Sequence, residues 1–248
     1  MTRPSNQSNP PTQAVFTSTQ WSLVVTAQAG DTQSAAALET LCRAYWKPLY
    51  AFVRRQGVQP DEAMDMTQGF FTRLLEKDWI TAADQERGRF RNFLMTSIKH
   101  FMSNEWAKQR AKRRGGGCRF IPVDVQTAET QYRLDPIDTR SPERTYERQW
   151  ALTTLEQVMD TLRQDYQKRN KTAQFEILKP CLVLSSQHQP YAQLAQQLDT
   201  TEGAVRVMVH RLKQQYRQKL RHHIAQTVAS AEEVEQEMQH LFQALSKN

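Results

Sequence analysis

The sequence predicts an almost all-α protein: two helical domains joined by a flexible linker, the second containing a helix-turn-helix. Three observations lead there. Apolar residues recur at three- and four-residue steps over most of the chain. Only 8 Gly and 10 Pro are spread over 248 residues. No alternating Val/Ile/Thr run of useful length stands between turn signals, as a strand-rich protein would need.

The elements follow in order. Residues 1–19 are rich in Ser, Asn, Gln, Thr and Pro, a composition that buries too little to offset chain entropy, so a disordered tail is expected. A first domain is expected over 20–114. Leu38, Leu41, Cys42, Tyr45, Trp46, Leu49, Phe52 and Val53 mark one buried helical face, with Pro48 as a potential kink. Gly57 and Pro60 end that run, and Asp61 is the expected cap of the next helix, which carries Met66, Phe70, Phe71, Leu74 and Leu75. A third helix, from about Phe90 to Arg114, carries Phe93, Leu94, Ile98, Phe101 and Met102. Three glycines from Gly115 stop it, and 115–140 reads as a linker of Pro, Asp and Thr without a period.

The second domain is expected over 141–228. Ser141-Pro142-Glu143 has a capping Ser, Pro at the first helical position and an acid in the first turn. A capping box, Ser230-Ala231-Glu232-Glu233, opens a last amphipathic helix over 229–248, with Val234, Met238, Leu241, Phe242 and Leu245 on one face.

Cys42, Cys118 and Cys181 are odd in number and far apart, which predicts reduced thiols rather than disulfides or a zinc site. No apolar run approaches the length of a membrane span and no signal-peptide layout is present, so a cytoplasmic protein is expected. No catalytic set stands out. Glu62 and Asp65 lack a nearby third ligand, His222-His223 reads as a solvated pair, and no P-loop or nucleophile motif is found. No metal, cofactor or enzymatic activity is expected.

The formal charge is +7, and the basic residues are clustered. In the segment starting at Pro190, Leu194, Ala195 and Leu198 form one buried face and Val205, Met208, Val209 and Leu212 a second, with a tight turn at Asp199-Thr200-Thr201. That spacing matches a helix-turn-helix, and Asp tolerates the left-handed backbone such a turn uses. The opposite face of the second helix presents Gly203, Arg206, Val207, His210, Arg211, Lys213 and Arg217, and no acid falls between Arg206 and Arg221. Such a face suits the major groove: Arg pairs bidentately with guanine, and Lys and Arg neutralise phosphates. A second basic stretch, Arg87 to Arg119, holds ten Lys and Arg against Glu105, with Phe90, Phe93, Phe101 and Trp106 interleaved. Cations and aromatics together suit a single strand with unstacked bases. Phe93 and Phe101 read as core; Phe90 and His100 are open between core and surface.

ALETLCRAYWKPLYAFVRR, DEAMDMTQGFFTRLLE and GRFRNFLMTSIKHFMSNEWAKQR, in that order, resemble domain two of bacterial extracytoplasmic-function sigma factors, and YAQLAQQLDTTEGAVRVMVHRLKQQYR resembles their domain four. The resemblance covers about 20–115 and 145–225. It implies a non-enzymatic partner of core RNA polymerase and promoter DNA, with an anti-sigma factor or other regulatory protein as a further partner class. The polymerase-facing helix would offer Asp61, Asp65, Gln68 and Arg73. The −10 element would meet Phe90, Arg91, Lys99, His100, Asn104, Arg110, Lys112 and Arg113. The −35 element would meet the recognition helix through Glu202, Gly203, Arg206, Val207, His210, Arg211, Lys213 and Arg217. The alternative is a helix-turn-helix regulator that acts without polymerase. The last helix has two open placements: extra core on the second domain, or an acidic cover over its DNA-binding face.

Overall fold

The computed structural model describes residues 32–76, 89–111, 141–182, 189–228 and 230–246. The tail over 1–19 and the linker over 115–140 lie outside them. Among the described residues the regular elements are all helices and no strand occurs, which agrees with an all-α fold class. The helices are α1 (Thr32–Arg55), α2 (Pro60–Glu76), α3 (Phe90–Ala111), α4 (Pro142–Lys168), α5 (Thr172–Leu178), α6 (Tyr191–Gln197), α7 (Glu202–Ala225) and α8 (Ala231–Leu245). A 3-10 turn, Lys179–Leu182, follows α5.

The core is organised around α1. Tyr45, Trp46, Leu49, Tyr50, Ala51, Phe52 and Val53 are all buried, more than one face can account for. A helix apolar on every side belongs inside, and α1 is covered by α2, α3 and α4. This burial explains why the helix continues through Pro48, where the sequence suggested a kink. Proline forfeits one backbone hydrogen bond and strains the preceding turn, at about 3 kcal/mol. Each large side chain buried around it contributes about 1.5–3 kcal/mol.

Helix starts follow local chemistry with two corrections. Ser141 caps α4, its hydroxyl accepting from the Arg144 amide at 3.3 Å, and Pro142 takes the first helical position. Asp61, expected as the cap of α2, instead lies inside its first turn, because the helix already begins at Pro60. There it still favours the positive end of the helix dipole. Ser230 occupies the cap position of α8, but its side chain makes no capping hydrogen bond.

Two apolar clusters divide the interior. The first joins α1, α2, α3, the N-terminal half of α4, Leu220 and Ile224 at the end of α7, and Val234 and Leu241 of α8. The second joins Leu162 and Tyr166 of α4 with α5, α6 and the first half of α7. Two long helices, α4 at about 40 Å and α7 at about 36 Å, therefore each serve both clusters. Tyr216 touches both, and burial pushes its hydroxyl pKa up to about 12. The C-terminal helix packs on α4 and α7, burying Val234 and Leu241 while Phe242 stays exposed. It joins the core and leaves the basic face of α7 open to solvent.

Candidate nucleic-acid interface

The α6–α7 pair is set by a short turn. Leu194 and Ala195 of α6 are buried against α7, where Val205 and Val209 face them in the same cluster. Asp199 has φ +46°, in the left-handed region that Asp tolerates better than most side chains. The turn closes with the Thr200 amide donating to the Ala195 carbonyl at 3.0 Å. Thr201 then caps α7, its hydroxyl accepting from the Ala204 amide at 3.2 Å, an arrangement worth about 1 kcal/mol.

Burial of Val205, Val209 and Leu212 fixes the rotation of α7. The face it turns outward carries Glu202, Gly203, Arg206, Val207, His210, Arg211, Lys213 and Arg217, all exposed. A side chain at Gly203 would meet open space, so no neighbour requires glycine there. Arg206 pairs with Glu202 one turn back, at 2.6 Å. Arg211, Lys213 and Arg217 have no ion-pair partner among the described residues. Further along, Lys219 is held by Asp165 of α4 at 2.6 Å, and this cation keeps the Asp165 carboxyl below the usual carboxylate range. Arg221 pairs with Glu235 of α8. The uncompensated charge is thus confined to the stretch from Arg211 to Arg217 of α7, with Val207 an exposed apolar residue one turn before it.

The structure separates the residues expected in α3. Lys99, His100 and Asn104 are exposed. Lys99 pairs with Glu143 at 2.7 Å, and that bond lowers the Glu143 carboxyl below its ordinary pKa. Lys112 and Arg113 lie outside the described residues, as does the side chain of Arg110. Phe90 and Arg91 depart from the expectation of a DNA-facing surface. Phe90 is 1% exposed, set edge-on to Tyr45 at 5.4 Å and stacked on Phe93 at 5.9 Å. Arg91 is equally enclosed. Burial acts to lower its pKa, but the Glu237 hydrogen bond and the charge of Glu147 outweigh it and raise the guanidinium above its ordinary value.

Helical spacing carried a signal for this. Arg91 stands in line with Leu94, Met95 and Ile98, three, four and seven residues on, all buried. The same spacing puts Glu237 beside Val234 and Leu241. A basic or acidic residue on an apolar stripe is the mark of a buried pair.

On α2, Asp61, Asp65 and Arg73 are exposed, whereas Gln68 is 4% exposed and cannot meet a partner in this arrangement. It lies one turn from Phe71, on the side of α2 turned to the core. Arg73 and Asn104, assigned to different partners from the sequence, line one cleft of about 280 Å³ between α2 and α3, together with Phe101 and Lys108. His223 also departs from expectation. It is partly buried where the sequence suggested a solvated side chain, and burial together with neighbouring His222 lowers its pKa to about 4, which favours the neutral ring.

No family model matches the chain, and neither a curated protein nor a solved structure matches it. Among the described residues no helix is long and apolar enough to cross a membrane.

Proposed function

We propose that the chain is a sigma factor of the extracytoplasmic-function type, a non-enzymatic protein that directs bacterial RNA polymerase to promoter DNA in the cytoplasm. The observation that carries the reading is the exposed face of α7. Arg206, Val207, His210, Arg211, Lys213 and Arg217 project from a helix set by a tight turn after α6, and three of the cations have no protein partner among the described residues. Uncompensated cations on a helix that follows such a turn suit a helix-turn-helix in the major groove. In this reading α6 and α7 belong to a −35-binding unit. Helices α1 to α3 form a second unit, in which Asp61, Asp65 and Arg73 meet polymerase and Lys99, His100 and Asn104 meet the −10 element.

Transcription in vitro with core polymerase and a promoter library tests this directly. Start sites that depend on the chain are expected, together with capture of core polymerase by the immobilised protein. Duplex binding without polymerase capture would favour the second reading, a DNA-binding regulator that acts alone. The burial of Gln68, Phe90 and Arg91 favours that second reading, because it withdraws three of the residues assigned to polymerase and the −10 element.

A further inference from the structure

Glu237 of α8 is 1% exposed, and two arginines of α3's N-terminal end hold its carboxylate. Arg89 Nε lies 2.9 Å from one oxygen, Arg91 Nε lies 2.7 Å from the other, and a second Arg91 nitrogen completes the clasp at 3.2 Å. The Arg91 guanidinium also pairs with Glu147 of α4 and lies 4.7 Å from the centre of the Trp150 ring. Tyr146 donates its hydroxyl to the Arg91 carbonyl at 2.9 Å, and His240 of α8 reaches Glu147 at 2.9 Å. One ionic cluster therefore joins α3, α4 and α8.

An ionic cluster is not the most stabilising way to seat α8. Val234 and Leu241 bury an apolar stripe, and a hydrophobic residue at 237 would extend it without the desolvation that a buried charge pair incurs. Specifying one arrangement, or switching between two, is the best-attested use of such pairs. Arg89 and Arg91 open the basic, aromatic stretch of α3, and a guanidinium fork fits phosphate as well as it fits carboxylate.

We propose that Arg89 and Arg91 form a nucleic-acid phosphate site that the Glu237 carboxylate occupies in the free protein, so that α8 leaves its seat when DNA takes the site. The proposal rests on the reading of α3 as a nucleic-acid-binding element. Control falls on α3 alone, because the α7 face is exposed with α8 in place. Glu147 stays beside Arg91 after α8 leaves, so Arg89 is the cation most fully released.

The test compares the full chain, E237Q and E232Q for binding to fluorescent single-stranded oligonucleotides over a range of salt. E232Q makes the same charge change on the exposed side of α8 and should bind as the wild type does. E237Q should bind at least about tenfold more tightly, since a minor open state is usually populated at no more than about 10%. Its log–log salt slope should stay close to the wild type's, because both complexes neutralise the same phosphates and only the cost of displacing the carboxylate differs. Hydrogen exchange of the wild-type chain should show residues 231–245 losing protection when oligonucleotide is added. Equal affinity for E237Q and wild type, with α8 still protected in the complex, overturns the proposal. If E237Q does not fold, exchange on the wild type decides alone: lost protection supports the site and retained protection overturns it. Duplex binding through α7 with α8 still protected sinks this inference and spares the proposed function. A chain that binds no DNA of either kind removes both.

Discussion

Replacing Arg206 by Ala separates a DNA-reading role from a structural one, because its structural contribution is small. The side chain is 67% exposed and its ion-pair partner among the described residues is Glu202, itself 47% exposed, at 2.6 Å. An exposed pair one helical turn apart is worth about 0.3–0.5 kcal/mol, and Ala recovers a few tenths through helix propensity. Folding stability should therefore change by less than about 0.5 kcal/mol, a melting shift of a degree or two. A base-reading arginine contributes about 1–3 kcal/mol, which corresponds to roughly a 5- to 150-fold loss in affinity for duplex promoter DNA. Fluorescence anisotropy against a selected duplex at several salt concentrations, paired with a thermal melt, measures both. A base contact relaxes preference at one position and leaves the salt slope unchanged. A phosphate contact weakens all sequences alike and reduces the slope by about 1. Arg211→Ala, which breaks no ion pair with a described residue, should lose DNA affinity similarly while stability stays the same or rises by a few tenths of a kcal/mol. If both variants stay folded and bind as the wild type does at every salt concentration, the α7 face is not the DNA-binding surface.

Three further outcomes follow from the same structure. Leu212→Ala, at a fully buried position between α7 and its neighbours, should cost about 2–5 kcal/mol, read as a lower urea midpoint at constant slope. His223 should make stability fall under mild acid. Its folded pKa of about 4 lies below the unfolded value near 6.5, so the unfolded chain takes the proton first. Its full contribution is present above pH 6.5 and is lost down to about pH 4, by up to roughly 3 kcal/mol. His223→Gln should flatten that part of a stability–pH profile, and a profile identical to wild type would refute the assignment. If α7 enters the major groove as proposed, Val207, 49% exposed among cations, would meet a thymine methyl. Uracil for thymine at one position of the selected site should weaken wild-type binding by about fourfold, the value of one buried methyl, and leave Val207→Ala unaffected.

The helical character of the chain was written in its spacing. Runs such as Tyr45, Trp46, Leu49, Phe52 and Val53 repeat every three or four residues, and a pattern local to 20 residues forms wherever the helix goes. The same holds for Ser141 and Thr201 as caps and for the left-handed turn at Asp199, each of which depends on neighbours three or four positions away. The outward face of α7 was legible because Val205, Val209 and Leu212 name the inward one. The burial of Arg91 was half legible: its position on the stripe of Leu94 and Ile98 was visible, but its partner was not.

What the sequence by itself determined is therefore which residues share a face, since helical geometry alone sets that. What only the tertiary structure decided is which faces meet. It laid α4 along α1, divided the apolar clusters across the middle of α4 and α7, and turned Gln68 and Phe90 inward. It also brought Glu237 to Arg91 across 146 residues of chain. A stripe of apolar residues states that something must cover it, not what does, because the hydrophobic effect is non-directional and any apolar partner satisfies it. Only the folded arrangement, in which one buried carboxylate and one buried guanidinium must find each other or both remain unpaired, makes that choice.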